Sequence, residues 1–162
     1  MLLGILSDSH NQLDITRLAI ETLQRAGAEF FIHCGDVGEE RVLDLLSGLP
    51  NAVVWGNNDF DRQRLARYAQ SISVNVHDPV ARLTLAGRHL LVTHGDDPRL
   101  IESAVRDRSA DYILFGHSHI PSDQRRNGVR LINPGALHRA RPKTVATLDL
   151  LRDELRHIEL KR

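Results

Sequence analysis

Five short apolar runs in this chain each end in the same kinds of residue, and that recurrence constrains the fold more than any other feature. Leu2–Leu6 runs into "SDSH", with Asp8 and His10, and Phe30–Ile32 into "HCGD", with Asp36. Ala52–Trp55 is followed by "GNND", with Asn57, Asn58 and Asp59; Leu90–Thr93 by "HGD", with His94; and Tyr112–Phe115 by "GHSH", with His117 and His119. Glycine, present in all of these motifs but the first, lets backbone segments approach closely. In open α/β sheets ligands sit beyond the carboxyl ends of the strands. If these strands share a sheet and a direction, the clusters converge on one place.

The intervening sequence supplies the rest of the layers. Leu13–Ala26 reads as an amphipathic helix stopped by Gly27, Glu39–Leu46 as a helix with Gly48 and Pro50 behind it, and Arg62–Ala69 as a polar helical stretch. This is the strand–helix rhythm of a parallel sheet covered by helices. The second half differs. Val80–Leu85 and His89–Thr93 flank "AGR", a hairpin signal, and "RRNGVRLI" is a stronger one because Asn-Gly suits a type I′ turn. "PRLIESAVRDR" reads as a helix with Asp97 as cap and Pro98 at its first position. Thr144–Leu150 and Glu154–Leu160 form a last antiparallel pair. About ten strands are too many for one simple sheet. The expectation is an α/β chain with two stacked mixed sheets flanked by helices, forming a single domain over residues 1–162.

Lys+Arg 21 against Asp+Glu 21 leaves no net charge, so no broad field is available to hold nucleic acid stably. The one cysteine, Cys34, excludes an internal disulfide framework and fits a reducing compartment. The apolar start is too short for a membrane span or a signal peptide, so a cytoplasmic protein without membrane partners is expected.

The polar clusters offer four imidazoles (His10, His94, His117, His119), two carboxylates (Asp8, Asp36) and the Asn57 amide oxygen. That is more than one tetrahedral zinc uses, and there is no thiolate cage. A mixed nitrogen and oxygen set of this size suits two adjacent divalent ions sharing a carboxylate. His117 and His119 then serve different ions of the pair. Taken singly, Asp8 and Asp36 read as helix caps and Asn57 as a turn residue; their convergence reverses those odds. His33 and Asp59 read equally as support for ligands or as ordinary core and cap residues. His77, His89, His138 and His157 read as surface residues, and Arg139, Arg141 and Lys143 as a solvated basic run.

The ordered set Asp8-x-His10, Gly35-Asp36, Gly56-Asn57-Asn58-Asp59, His94 and Gly116-His117-x-His119, with "INPGAL" downstream, resembles the calcineurin-like metallophosphoesterase superfamily. It is most similar to the small bacterial and archaeal phosphodiesterases. The resemblance implies a four-layer αββα sandwich. It implies that Asp8, His10 and His119 hold one ion, that Asn57, His94 and His117 hold the other, and that Asp36 bridges them. Manganese is the expected ion, with nickel, iron, zinc and magnesium as alternatives. The implied reaction is hydrolysis of a small phosphodiester by a hydroxide that bridges the ions and attacks phosphorus in line. Many members carry a histidine where Asn58 stands. As the catalytic side chain here, Asn58 can donate a hydrogen bond to a phosphoryl oxygen but cannot supply a proton. Slower chemistry and a preference for activated or enolic leaving groups follow. The competing readings are a non-catalytic scaffold resembling a retromer subunit, and a phosphomonoesterase; association into a homo-oligomer is open.

Overall fold

The structure, a computed structural model, describes residues 1–161. The first half runs β1 (Leu2–Leu6), α1 (Leu13–Arg25), β2 (Phe30–His33), α2 (Glu40–Asp44), β3 (Asn51–Val54), α3 (Arg62–Ser71) and β4 (Val76–His77). The second runs β5 (Ala81–Leu85), β6 (Arg88–Val92), α4 (Pro98–Asp107), β7 (Tyr112–Leu114), β8 (Ser122–Arg126), β9 (Val129–Asn133), β10 (Thr144–Asp149) and β11 (Glu154–Glu159). One sheet has the order β11-β10-β1-β2-β3-β4 and the other β5-β6-β7-β9-β8.

The period of two along each central strand builds the layers. Phe31 and Val53 point into the cluster formed with Ile15, Ala19, Ile20 and Leu23 of α1. Their neighbours Ile32 and Val54 point the other way, meeting Leu90, Val92, Tyr112 and Leu114 of the opposing sheet. On that sheet Leu91 and Ile113 face outward onto Ile101, Ala104 and Val105 of α4. Strands buried on both faces are therefore continuous apolar runs rather than alternating ones, as central parallel strands require. The result is the four-layer helix–sheet–sheet–helix sandwich expected.

Local signals explain most boundaries. The Asp97 carboxylate accepts from the Arg99 N–H, and Pro98 opens α4. Asn127 and Gly128 both have positive φ, 50° and 84°, the backbone of a type I′ turn between β8 and β9. α2 is shorter than the sequence suggests: Leu45 and Leu46 donate three residues back, to Val42 and Leu43, so the last turn tightens out of α geometry. The two-residue β4 carries no readable pattern at all. Away from the strand ends, the buried Arg130 of β9 grips Asp123 with two bonds of 2.8 Å and also the Asp153 carbonyl, which lies in the β10–β11 turn. This clamp ties one sheet to the other.

Candidate metal centre

β1, β2 and β3 are mutually parallel, as are β6, β7 and β9. The loops leaving five of these strands meet at one edge of the sandwich and are laced together by backbone bonds. Asp8 N–H donates to the Gly35 carbonyl and His10 N–H to the Asp36 carbonyl, both at 3.0 Å, while Gly116 N–H donates to the His94 carbonyl at 2.8 Å. Asp8, His10, Asp36, His117 and His119 all have left-handed backbone, with φ between 41° and 65°. Such conformations are uncommon outside glycine and collect at functional sites. They turn each side chain sharply off its strand. Gly116 is required by proximity: a Cβ there would lie 2.0 Å from Ser7 Oγ and 2.7 Å from Asp8 Oδ2.

All seven candidate ligands come together. Asp8 Oδ1 lies 3.1 Å from His119 Nε2 and 4.0 Å from His10 Nε2. His10 Nε2 lies 3.3 Å and His94 Nε2 3.4 Å from Asp36 Oδ2. Asn57 Oδ1 lies 3.0 Å from His94 Nε2 and 3.1 Å from His117 Nδ1. Asp8, His10 and His119 form one group with donor atoms close enough for a common ion, and Asp8, Asp36 and His94 form another. His117 and His119 thus sit in different surroundings, one beside Asn57 and the other beside Asp8. Asp8, Asp36 and His94 are buried, while His10 and His119 keep about a fifth to a quarter of their side chains exposed, 21% and 25%.

The donor set fits cations better than it fits itself. Asp8 Oδ1 and His10 Nε2 are buried and, among the described residues, lack a hydrogen-bond partner, although His119 stands close to the first and Asp36 to the second. A buried polar atom left unpaired costs about 1–3 kcal/mol. His94 shows the same mismatch. Its Nδ1 donates to the Cys34 carbonyl at 2.9 Å, so a neutral ring turns the Nε2 lone pair towards Asn57 Oδ1 and Asp36 Oδ2, which are themselves acceptors. Burial lowers the His94 pKa, but Asp36 and the Cys34 carbonyl outweigh it and raise it. A proton is drawn to the place a cation suits.

Asp36 stays ionised. Burial favours its neutral form, yet bonds from His94 and Asn58 hold it well below the usual carboxylate range. Asn58 makes two of these bonds: its backbone N–H lies 2.8 Å from Asp36 Oδ1 and its side-chain amide nitrogen 2.7 Å from Asp36 Oδ2, which leaves one amide N–H over. The sequence suggested an Asn58 facing substrate; in the fold its amide also fixes the Asp36 carboxylate between the two groups of candidate ligands.

The surrounding residues resolve the readings left open. Asp59 accepts from the N–H groups of Gly56, Val37 and Gly38, clamping the β2 and β3 loops, while Asp61 caps α3. His33 takes the Gly35 N–H at Nδ1, so its Nε2–H donates to Ser9 Oγ at 2.9 Å, and Ser9 in turn donates to the Val37 carbonyl. Burial, reinforced by His94, pushes the His33 pKa down to about 3. It is a neutral core histidine that braces the loops carrying Asp8 and Asp36. Cys34 is fully buried and burial pushes its thiol up, as suits a small core filler.

Two participants escaped the sequence reading. Asn133, within "INPGAL", donates to the Gly116 carbonyl at 2.7 Å and to Ser118 Oγ at 3.1 Å, pinning the loop of His117 and His119. His138 is partly exposed, and its ring lies 4.8 Å from that of His10, a neighbour the sequence did not reveal. The "INPGAL" motif pointed to Asn133; no local pattern pointed to His138.

Residues 1–153 match the family profile of the calcineurin-like phosphoesterase superfamily domain. The chain belongs to that superfamily. Among curated phosphoesterase relatives, Phosphodiesterase MJ0936 of Methanocaldococcus jannaschii is 30% identical over 166 aligned residues, covering 99% of this chain and 100% of its own. A solved structure of an archaeal phosphodiesterase superposes with a TM-score of 0.92 at 29% identity, covering 99% of this phosphoesterase and 100% of that chain. Vps29 of Entamoeba histolytica, solved in complex with zinc, superposes with a TM-score of 0.67 at 15% identity over 99% of this chain and 100% of its own, a likeness of fold alone.

Proposed function

We propose that this protein is a metal-dependent phosphodiesterase acting on small phosphodiesters, and that residues 1–162 work as one domain. In this reading Asp8, His10 and His119 hold one divalent ion, Asn57, His94 and His117 a second, and Asp36 is shared between them, with manganese the first candidate ion. The observation that carries the proposal is that Asp8 Oδ1 and His10 Nε2 are buried without a hydrogen-bond partner among the described residues, in the same cluster where His94 Nε2 faces the acceptors Asn57 Oδ1 and Asp36 Oδ2. When bound, two such ions supply Lewis acidity that acidifies water towards neutral pH and offsets charge on phosphoryl oxygens.

The protein's own groups prepare that chemistry. Asn58 keeps the Asp36 carboxylate ionised and fixed in angle, and the Cys34 carbonyl fixes the tautomer and orientation of His94. Asn133 sets the loop that delivers His117 and His119. The exposed edges of His10 and His119 mark the side open to substrate. Because an amide cannot act as a general acid, Asn58 has no proton to give a leaving group, which favours activated or enolic leaving groups. A small substrate held locally, without a broad electrostatic field, agrees with the zero net charge of the chain, and the lone cysteine, Cys34, agrees with a cytoplasmic location; no helix among the described residues is long and apolar enough to cross a membrane. The scaffold reading is disfavoured because every ligand position holds a competent donor.

The test compares bis-p-nitrophenyl phosphate with p-nitrophenyl phosphate across manganese, nickel, magnesium and zinc. The diester is expected to be cleaved faster, and Asp36→Asn is expected to abolish hydrolysis while leaving a folded protein. Silence on both substrates with every ion would overturn the proposal in favour of a scaffold. Wild-type activity in Asp36→Asn would remove Asp36 from its shared role.

A further inference from the structure

The His10 edge of the centre carries a group that the ligand scheme does not use. The His138 ring lies 4.8 Å from the His10 ring, tilted at 45°, on the partly exposed side of the site. Its position is enforced. The preceding Leu137 donates its N–H to the carbonyl of Ser7, next to Asp8, and accepts at its own carbonyl from Lys143. The start of the same loop is tied by Gly135 N–H to Asn133 Oδ1 and by Thr144 Oγ1 to the Pro134 carbonyl, both at 2.8 Å. A loop so anchored holds His138 in fixed relation to the β1 ligands, not as a mobile surface side chain. Among the described residues its ring nitrogens have no hydrogen-bond partner, whereas His33 and His94 have theirs.

Resting on the phosphodiesterase reading, we propose that His138 is a substrate-contacting residue, whose ring N–H donates to a non-bridging oxygen of the phosphoryl group. An imidazole carries at least one N–H in either protonation state, so the role needs no titration. The geometry assigns to His138, from the far end of the chain, a substrate-facing donor in addition to the one amide N–H that Asn58 keeps while it holds Asp36. Arg139 follows directly, is exposed, and adds positive charge near His138.

The test uses the full chain with manganese and bis-p-nitrophenyl phosphate. His138→Phe keeps a ring against His10 but removes the donor; His138→Gln keeps an N–H donor without the ring. His138→Phe is expected to lose kcat/KM by about 10- to 100-fold and to weaken inhibition by inorganic phosphate, with metal content and Tm unchanged. His138→Gln is expected to recover most of that loss. The proposal is overturned if His138→Phe keeps wild-type kcat/KM, if its loss matches a loss of bound metal, or if Gln behaves like Phe. A wild-type protein inactive with every ion would instead fail the phosphodiesterase reading, and this inference with it.

Discussion

Adding one methyl group to Gly116 should damage the centre without replacing any candidate ligand. The backbone there is not left-handed, so alanine meets no conformational penalty; the cost is entirely overlap. The new Cβ would stand 2.0 Å from Ser7 Oγ, 2.7 Å from Asp8 Oδ2 and 3.0 Å from Ser7 Cβ. Rotating the Ser7 hydroxyl away relieves only the first contact. The other two require the β7 loop and the β1 loop to separate by several tenths of an ångström or more, and Ser7, Asp8 and Gly116 are all buried. Overpacking of this kind costs about 1–3 kcal/mol. For a chain of 162 residues a kcal/mol corresponds to about 3 °C in Tm, so Gly116→Ala should melt roughly 3–9 °C lower. The larger effect is on rate, because a displacement approaching 1 Å at a reacting centre can cost about 100-fold. Differential scanning fluorimetry and bis-p-nitrophenyl phosphate turnover with manganese measure the two. Ser7→Ala in the same chain removes the 2.0 Å contact and should recover part of the Tm but little of the rate, since Asp8 Oδ2 remains in the way. A Gly116→Ala protein with wild-type Tm and turnover would refute the claim that the His117 loop and the Asp8 loop are packed to contact.

Removing divalent ions should also lower the melting temperature: an ion at 100 times its dissociation constant stabilises by about 2.7 kcal/mol, or roughly 8 °C here, and an EDTA titration showing no shift would count against a folded-state ion site. Arg130→Leu should cost about 2 kcal/mol in urea denaturation by leaving Asp123 and Asp153 without their common partner. Bonds from Arg130 hold Asp123 below its ordinary pKa, and at Asp153 bonds from Arg125 and Arg130 outweigh burial to the same end. The stability from this clamp is therefore complete above about pH 4 and lost as pH falls through the lower folded values, and Arg130→Leu should flatten that acid limb. His33 acts in a higher window. Its folded pKa of about 3 lies below the unfolded value near 6.5, so the unfolded chain takes up the proton first and stability falls as pH drops between them, by up to about 1.4 kcal/mol per pH unit. Measured with chelator present, His33→Gln should show a shallower decline over that range; an unchanged slope would mean His33 does not stay neutral.

Much of this protein was readable along the chain. The apolar runs of β1, β2, β3, β6 and β7, the Pro98 helix start and the Asn127-Gly128 turn are set by interactions among near neighbours, so periodicity and turn chemistry reveal them. The candidate ligands were readable for a related reason: a strand end facing a shared edge leaves its chemistry immediately after the apolar run. Tertiary structure alone decided what those residues lean on. Asn58 bonding Asp36, Asp59 holding Val37 and Gly38, Asn133 pinning Gly116 and His138 lying against His10 all join segments brought together by sheet register and loop docking. The sequence determined which strands exist and what each carries at its end, because those are short-range consequences of side-chain pattern. The partner of each polar group, and hence its charge, tautomer and direction, was decided by packing between distant segments, because a hydrogen bond depends on position in space and leaves no period in the chain.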